Sequence, residues 1–296
     1  MRSFLFLPAD SDKKLAKGLG SGADALILDL EDSVAADRKA GARDTALAYL
    51  KQHAPLATRP RLVVRVNALD TGLTDADLDV VVAGRPDIIL LPKAEGGASV
   101  IHLDAKLTAR EAIHGLPEGG IKIIALATET ASALFLCGTY RDASPRLSGI
   151  TWGAEDLSAE LGSETNRDAE GRFTSPYLMA RNLSLAAAAA ARVPAIDTVY
   201  ADFRNMTGLR AEALEARRDG FTSKMAIHPA QVPVINEVFT PAVEEIAKAQ
   251  AIVKAFADNP SSGVVGIGGV MYDRPHLTRA QRLLARARGA AAARQH

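Results

Sequence analysis

Eight short apolar runs alternate with amphipathic stretches along the chain, and this alternation narrows its fold more than any other feature. The runs lie at residues 4–7, 25–30, 62–66, 88–91, 121–127, 147–152, 198–200 and 225–227. Most are dominated by Val, Ile, Leu, Ala, Phe or Met with at most one charged residue, the pattern of parallel strands covered on both faces. Between them, residues 37–52, 74–82, 98–114, 176–192, 209–218 and 231–239 show helical spacing of apolar side chains. Several of these helices open on Ser or Asp and several close on Gly, the residue types that satisfy free backbone groups at helix ends. Eight strand-then-helix units in 296 residues predict an α/β fold, a closed TIM (β/α)8 barrel. An open doubly wound sheet is the alternative.

The barrel accounts for residues 1–240 as a catalytic domain. Residues 241–296 are then a C-terminal helix, hinge and lid segment, because a barrel closes without them. A helix is predicted near 241–257, followed by the Asn259-Pro260-Ser261-Ser262-Gly263 hinge, an apolar and Gly-rich segment at 264–273, and a basic helix from 275 to about 288. Such an extension suits a mobile lid or an arm exchanged between subunits.

Composition removes several classes of function. Lys and Arg number 35, as do Asp and Glu, so no long-range field draws the chain to nucleic acid or to an anionic membrane. The apolar N-terminal stretch stops at Pro8 and Asp10, too short for a membrane span, and the cytoplasm is the expected location. Cys137 is the single cysteine, in an apolar run, and reads as a buried thiol.

In a barrel of this kind chemistry sits at the C-terminal ends of the strands. The runs end in Asp29-Leu30-Glu31-Asp32, Arg65-Val66-Asn67, Pro92-Lys93, Glu129-Thr130, Gly153-Ala154-Glu155-Asp156, Asp202 and His228. Carboxylates converging on one mouth repel one another unless a proton or a cation compensates, and hard oxygen ligands suit Mg²⁺, or Mn²⁺, better than zinc. Glu129 and Asp156, from adjacent strands, are the expected metal ligands, with Glu31 and Asp32 across the mouth holding metal waters or substrate. Arg65 suits a substrate carboxylate or a developing enolate oxygen, against a structural pairing with an acid. Lys93 admits a Schiff-base role or a contact to an anion. His228 has no second histidine at ligand spacing and reads as structural.

Taken together, the segments Leu28-Asp29-Leu30-Glu31-Asp32-Ser33-Val34, Arg65-Val66-Asn67, Glu129-Thr130-Ala131, Gly153-Ala154-Glu155-Asp156-Leu157, Lys224-Met225-Ala226-Ile227-His228-Pro229 and Met271-Tyr272-Asp273-Arg274-Pro275-His276 resemble the citrate lyase beta-subunit-like and malyl-CoA lyase branch of the HpcH/HpaI aldolase family. The likeness runs through nearly the whole chain in order. It implies a Mg²⁺-dependent carbon–carbon lyase acting on a 3-hydroxyacyl-CoA such as malyl-, citramalyl- or citryl-CoA, giving a 2-oxo acid or related carbonyl acid and an acyl-CoA. It also implies a homo-oligomer, trimer or hexamer, whose lid covers a neighbouring subunit's site. By motif, Glu129 and Asp156 are the metal ligands. Arg65, Glu129, Gly153, Ala154 and Asp156 bind substrate, Glu31 and Asp32 support the metal waters, and Asp273 on the lid is the catalytic acid/base. The residues contacting CoA leave no motif. Two positions depart from the family pattern: Val270 stands where a lysine is common, and Ser223 where a glycine is. The alternatives are a Mg²⁺-dependent thioesterase acting on an acyl-CoA such as malyl-CoA, an aldolase for free 2-oxo acids without CoA, and a non-catalytic binding protein that keeps the barrel for assembly.

Overall fold

A computed structural model of the chain describes residues 1–293. Its eight parallel strands are β1 (Ser3–Pro8), β2 (Ala25–Asp29), β3 (Arg61–Arg65), β4 (Ile88–Leu91), β5 (Lys122–Leu126), β6 (Leu147–Thr151), β7 (Ile196–Asp197) and β8 (Ser223–Ala226). They pair in the order β6-β5-β4-β3-β2-β1-β8-β7, and the ends of that sheet meet through the parallel bridge between Ile150 and Ala195. The sheet is thus a closed barrel.

Alternation along each strand sorts the side chains. Phe4, Ala25, Ile27, Val63, Ile88, Leu90, Ile124, Leu126, Ile196 and Met225 form one buried cluster inside the barrel. Their neighbours in sequence, among them Leu5, Leu26, Leu28, Val64, Ile89 and Ile123, belong to a second cluster with the helices. The longer outer helices are α2 (Lys39–His53), α3 (Thr74–Val81), α4 (Gly96–Ile113), α7 (Ser175–Ala191), α8 (Met206–Asp219) and α9 (Val232–Phe239), close to the helical windows of the sequence. Three short helices, α1 (Asp12–Gly18), α5 (Ala131–Leu136) and α6 (Glu155–Leu161), are too brief to show a period. The last two start at the mouth, α5 just after Glu129 and α6 with Glu155 and Asp156 in its first turn.

The seventh strand lies earlier than the apolar run at 198–200. It is only Ile196–Asp197, and Thr198 and Val199 instead line the cavity at the barrel mouth. Asp197 interrupts the apolar pattern because its carboxylate is neutralised inside the protein. Lys224 Nζ lies 2.6 Å from Asp197 and 2.9 Å from Glu212, Arg167 lies 2.8 Å from Glu212, and the Trp152 indole donates to Asp197 at 2.9 Å. This network ties β7, β8 and α8 to a tryptophan of the mouth.

Beyond the barrel, α10 (Val243–Asp258) and α11 (Arg274–Ala293) flank an antiparallel hairpin of β9 (Val264–Ile267) and β10 (Val270–Asp273). Read from sequence as an apolar and Gly-rich segment, these residues fold into a hairpin because Gly268 and Gly269 take φ of 56° and 79°. Two successive left-handed residues give the tight turn whose twist suits a hairpin. The segment has a small core of its own, built from Ala249, Ile252, Phe256, Val265, Tyr272 and Ala280. The last three residues of 241–296 lie outside the described residues. Among the described residues, no helix is long and apolar enough to cross a membrane.

Lys224→Met leaves two buried carboxylates short of a cation. It is expected to cost about 3 kcal/mol of stability, read as a lowered denaturant midpoint with an unchanged slope.

Candidate active site

At the C-terminal end of the barrel lies a cavity of about 420 Å³. Its floor is the top layer of the barrel interior. On β2, Ala25 and Ile27 face inward, so Asp29 does too; on β3, Val63 faces inward, so Arg65 does too. Asp29 and Arg65 are register partners across the two strands. Arg65 Nε and Nη2 each donate to Asp29 at 2.7 Å, a bidentate pair, and Nη1 lies 2.8 Å from Glu31 Oε2. The guanidinium also rests 4.9 Å from the centroid of the Phe6 ring. Burial by itself favours a protonated Asp29, but the hydrogen bonds and charge of Arg65 outweigh it and hold the carboxyl below its usual range.

Glu31 follows β2 in a loop anchored from two sides. Lys39, the first residue of α2, donates to the carbonyls of Leu30 at 2.8 Å and Glu31 at 3.0 Å, and Asn67 donates to Leu30 O at 3.1 Å. Burial pushes the Glu31 carboxyl up, with Arg65 and Lys93 only partly opposing it. Its Oε2 is buried and, despite the nearby guanidinium, has no well-directed hydrogen bond.

Glu129 sits between β5 and α5 and is 4% exposed. Its Oε2 accepts the Lys93 backbone N–H at 2.7 Å. Burial first, and then the charges of Asp156 and Glu31, push its carboxyl well above the usual value. Gly153 closes the other side: a Cβ there would stand 3.0 Å from Glu129 Cγ and 3.1 Å from Oε1. Only a residue without a side chain lets the β6 end approach this carboxylate so closely. Asp156, in the first turn of α6, is one-third exposed and faces the same cavity, while Asp32 sits at its more exposed rim.

The site therefore gathers Glu31, Asp32, Arg65, Glu129, Gly153, Ala154 and Asp156 around one cavity, with Lys93 Nζ among the acids. All but Glu31 and Lys93 line it directly. Asp273 stands apart: it caps α11 and pairs with the imidazole of His276. That hydrogen bond, against slight desolvation, holds the carboxyl below its usual range. Lys93 is ion-paired and its ammonium is pushed further from deprotonation, with Glu31 outweighing burial. A Schiff-base role needs the free amine, so this geometry disfavours it. His228 accepts from the Ala230 N–H at 3.1 Å and stacks on Phe203, in keeping with a structural residue. Asp29 had been given no role; the shared parity of β2 and β3 was the signal that places it under Arg65.

Among the described residues no three His, Cys, Asp or Glu side chains converge into a full metal cage. Mg²⁺ needs less, one or two carboxylates with water filling the remaining positions. A buried carboxylate crowded by two others, beside a more exposed Asp156, is a donor set that fits such an ion.

Residues 2–229 match the model of a family described as HpcH/HpaI aldolase/citrate lyase. The chain belongs to that family. Residues 177–290 further match a family of carbon–carbon bond lyases of the TIM-barrel fold, and by class this member is a carbon–carbon lyase. It is 35% identical to citrate lyase subunit beta of Haemophilus influenzae over 289 residues, covering 97% of each chain. It is 36% identical over 295 residues to the (3S)-malyl-CoA thioesterase of Cereibacter sphaeroides strain KD131, covering 99% of this chain and 96% of that one. Among solved structures, protein CitE from Mycobacterium tuberculosis in complex with magnesium, acetoacetate and coenzyme A superposes with a TM-score of 0.75 at 34% identity, covering 97% of each chain.

Two outcomes test the geometry of this family member. Gly153→Ala is expected to displace the Glu129 carboxylate by a few tenths of an ångström and to weaken divalent-ion binding, measured calorimetrically, while leaving the melting temperature nearly unchanged. Asp29 has a depressed folded pKa, so its stabilisation is complete above the ordinary carboxylate value and is lost as pH falls through the lower, folded value. The stability gap between wild type and Asp29→Asn should accordingly be widest near neutrality and shrink on acidification, followed by urea melts across pH.

Proposed function

We propose that this lyase cleaves or forms a 3-hydroxyacyl-CoA of the malyl, citramalyl or citryl type, with Mg²⁺ held by Glu129 and Asp156. The observation that carries this reading is the buried, charge-crowded Glu129 beside Asp156 and Arg65 at the mouth of the barrel. The magnesium, coenzyme A and acetoacetate bound by the CitE relative support it.

When bound, the cation supplies a Lewis acid for the oxygens of the oxo-acid half. Arg65 arrives at the substrate already aligned by Asp29, so its charge needs no reorganisation to meet a substrate carboxylate or a developing enolate oxygen. Gly153 and Ala154, small residues lining the cavity, would meet the substrate through their backbone. Glu31 and Asp32 would orient water bound to such a cation. In the cleavage direction the bond between the hydroxyl-bearing carbon and the carbon alpha to the thioester breaks. As the first carbon becomes a carbonyl its hydroxyl proton passes to water at the open mouth, and the electron pair of the broken bond leaves the thioester half as an enolate. Asp273 donates the proton that restores acyl-CoA; in the condensation direction it removes that proton.

Asp273 is held by a segment with its own small core and contributes nothing to the cavity of its own barrel. On the hairpin it is the register partner of Val264, which is exposed, as is Met271 two residues before it. That disposition supports residues 241–296 as a lid domain serving a neighbouring subunit's site in a trimer or hexamer. Cys137 is buried and requires no oxidising compartment, which fits a reaction in the cytoplasm.

A second reading, Mg²⁺-dependent thioester hydrolysis, is favoured by the 36% identity to a (3S)-malyl-CoA thioesterase. The two separate in one assay of purified protein with malyl-, citramalyl- and citryl-CoA, following carbonyl product and free thiol with and without chelator. Carbonyl product that chelation abolishes is the expected result; free thiol alone would replace the lyase reading with hydrolysis. Glu129→Gln should lower kcat on the order of a thousandfold, and near-normal turnover in that variant would overturn the metal assignment.

A further inference from the structure

The role of Lys93 is not explained by holding substrate or metal. Its side chain reaches between the two halves of the acidic mouth: Nζ lies 2.6 Å from Glu31 Oε1, 3.3 Å from Asp156 Oδ1 and 3.8 Å from Asp32 Oδ2. The backbone is unusual as well. Lys93 has φ of 47°, a left-handed conformation that costs a side-chain-bearing residue on the order of 1 kcal/mol or more. In that conformation its N–H meets Glu129 Oε2 while its side chain turns to Glu31. One residue thus orients one proposed metal ligand through its main chain and places a full positive charge against the other through its side chain.

A fixed ammonium this close to Asp156 has two consequences. It offsets the mutual repulsion of Glu31, Asp32, Glu129 and Asp156, and it repels any second cation that approaches the same oxygens. Arg65 contributes to the first task, reaching Glu31 at 2.8 Å and Asp32 at 3.6 Å with Glu129 within range of its charge, but Lys93 is the cation that stands against Asp156. We propose that Lys93 is a positioning residue that sets the affinity of the site for a divalent cation. Its ammonium is a tethered rival for Asp156, keeping the acids together and metal binding weak enough for exchange. This inference rests on the metal reading given above.

The test is calorimetric titration of Mg²⁺ into the full-length protein and its variants, with melting curves run beside it. Lys93→Met removes the charge, and Lys93→Gln removes it while keeping a donor for Glu31, so either one serves if the other fails to fold. Lys93→Arg keeps the charge. All three retain the backbone N–H on Glu129. Both neutral variants should bind Mg²⁺ about tenfold more tightly or better. Their melting temperatures should fall without metal and rise more than the wild type's when it is added. Lys93→Arg should bind near the wild-type value. Unchanged or weaker binding in folded neutral variants, with normal wild-type binding, would overturn this inference alone and make Lys93 part of the metal cradle. Wild-type binding that survives Glu129→Gln and Asp156→Asn would overturn the metal reading itself.

Discussion

The arrangement at the barrel mouth depends on keeping like charges close together. Asp29, Glu31 and Asp32 at the end of β2, Glu129 after β5 and Asp156 after β6 crowd one mouth, and burial of Glu31 and Glu129 makes each ionised carboxylate costlier still. Two cations make this tolerable in different ways. Arg65 forms the rigid floor, bound by both ends of its fork to the residue opposite it in register. Lys93 sets a single ammonium among Glu31, Asp32 and Asp156 above that floor. The stable barrel below, with its dry interior cluster, holds both in place, and α2 and the end of β3 fix the Glu31 loop through Lys39 and Asn67.

A second ion network serves the opposite wall. Lys224, fully enclosed, neutralises Asp197 and Glu212, and Asp197 in turn receives the Trp152 indole at the edge of the cavity. Removing one member would leave a buried charge exposed to a low-dielectric interior rather than to water. The acidic mouth therefore stands on a wall whose own charges are matched.

Much of this was legible in the chain, for physical reasons. Parallel strands covered on both faces must be apolar throughout, so seven of the eight announced themselves as runs near their observed positions. The exception, β7, is two residues long and carries a neutralised aspartate, which no apolar run records. The acids Glu31, Asp32, Glu129 and Asp156 were placed at one mouth because barrel chemistry gathers at strand ends. The partner of Arg65 was missed although alternation along β2 and β3 contained it. The left-handed backbone of Lys93 leaves no trace in residue type, since lysine rarely adopts it. The hairpin was signalled by adjacent glycines and read only as a Gly-rich segment.

The separate core of the C-terminal hairpin bears on how such proteins diversify. A side chain at 264–273 meets α10, α11 or the surface, not the acids of its own barrel. Apolar substitutions on the hairpin therefore leave the charge balance of the mouth untouched. Val270, half exposed on that hairpin, is a position of this kind. The chain thus keeps two independent cores, and a change of packing in one need not be matched by a change in the other.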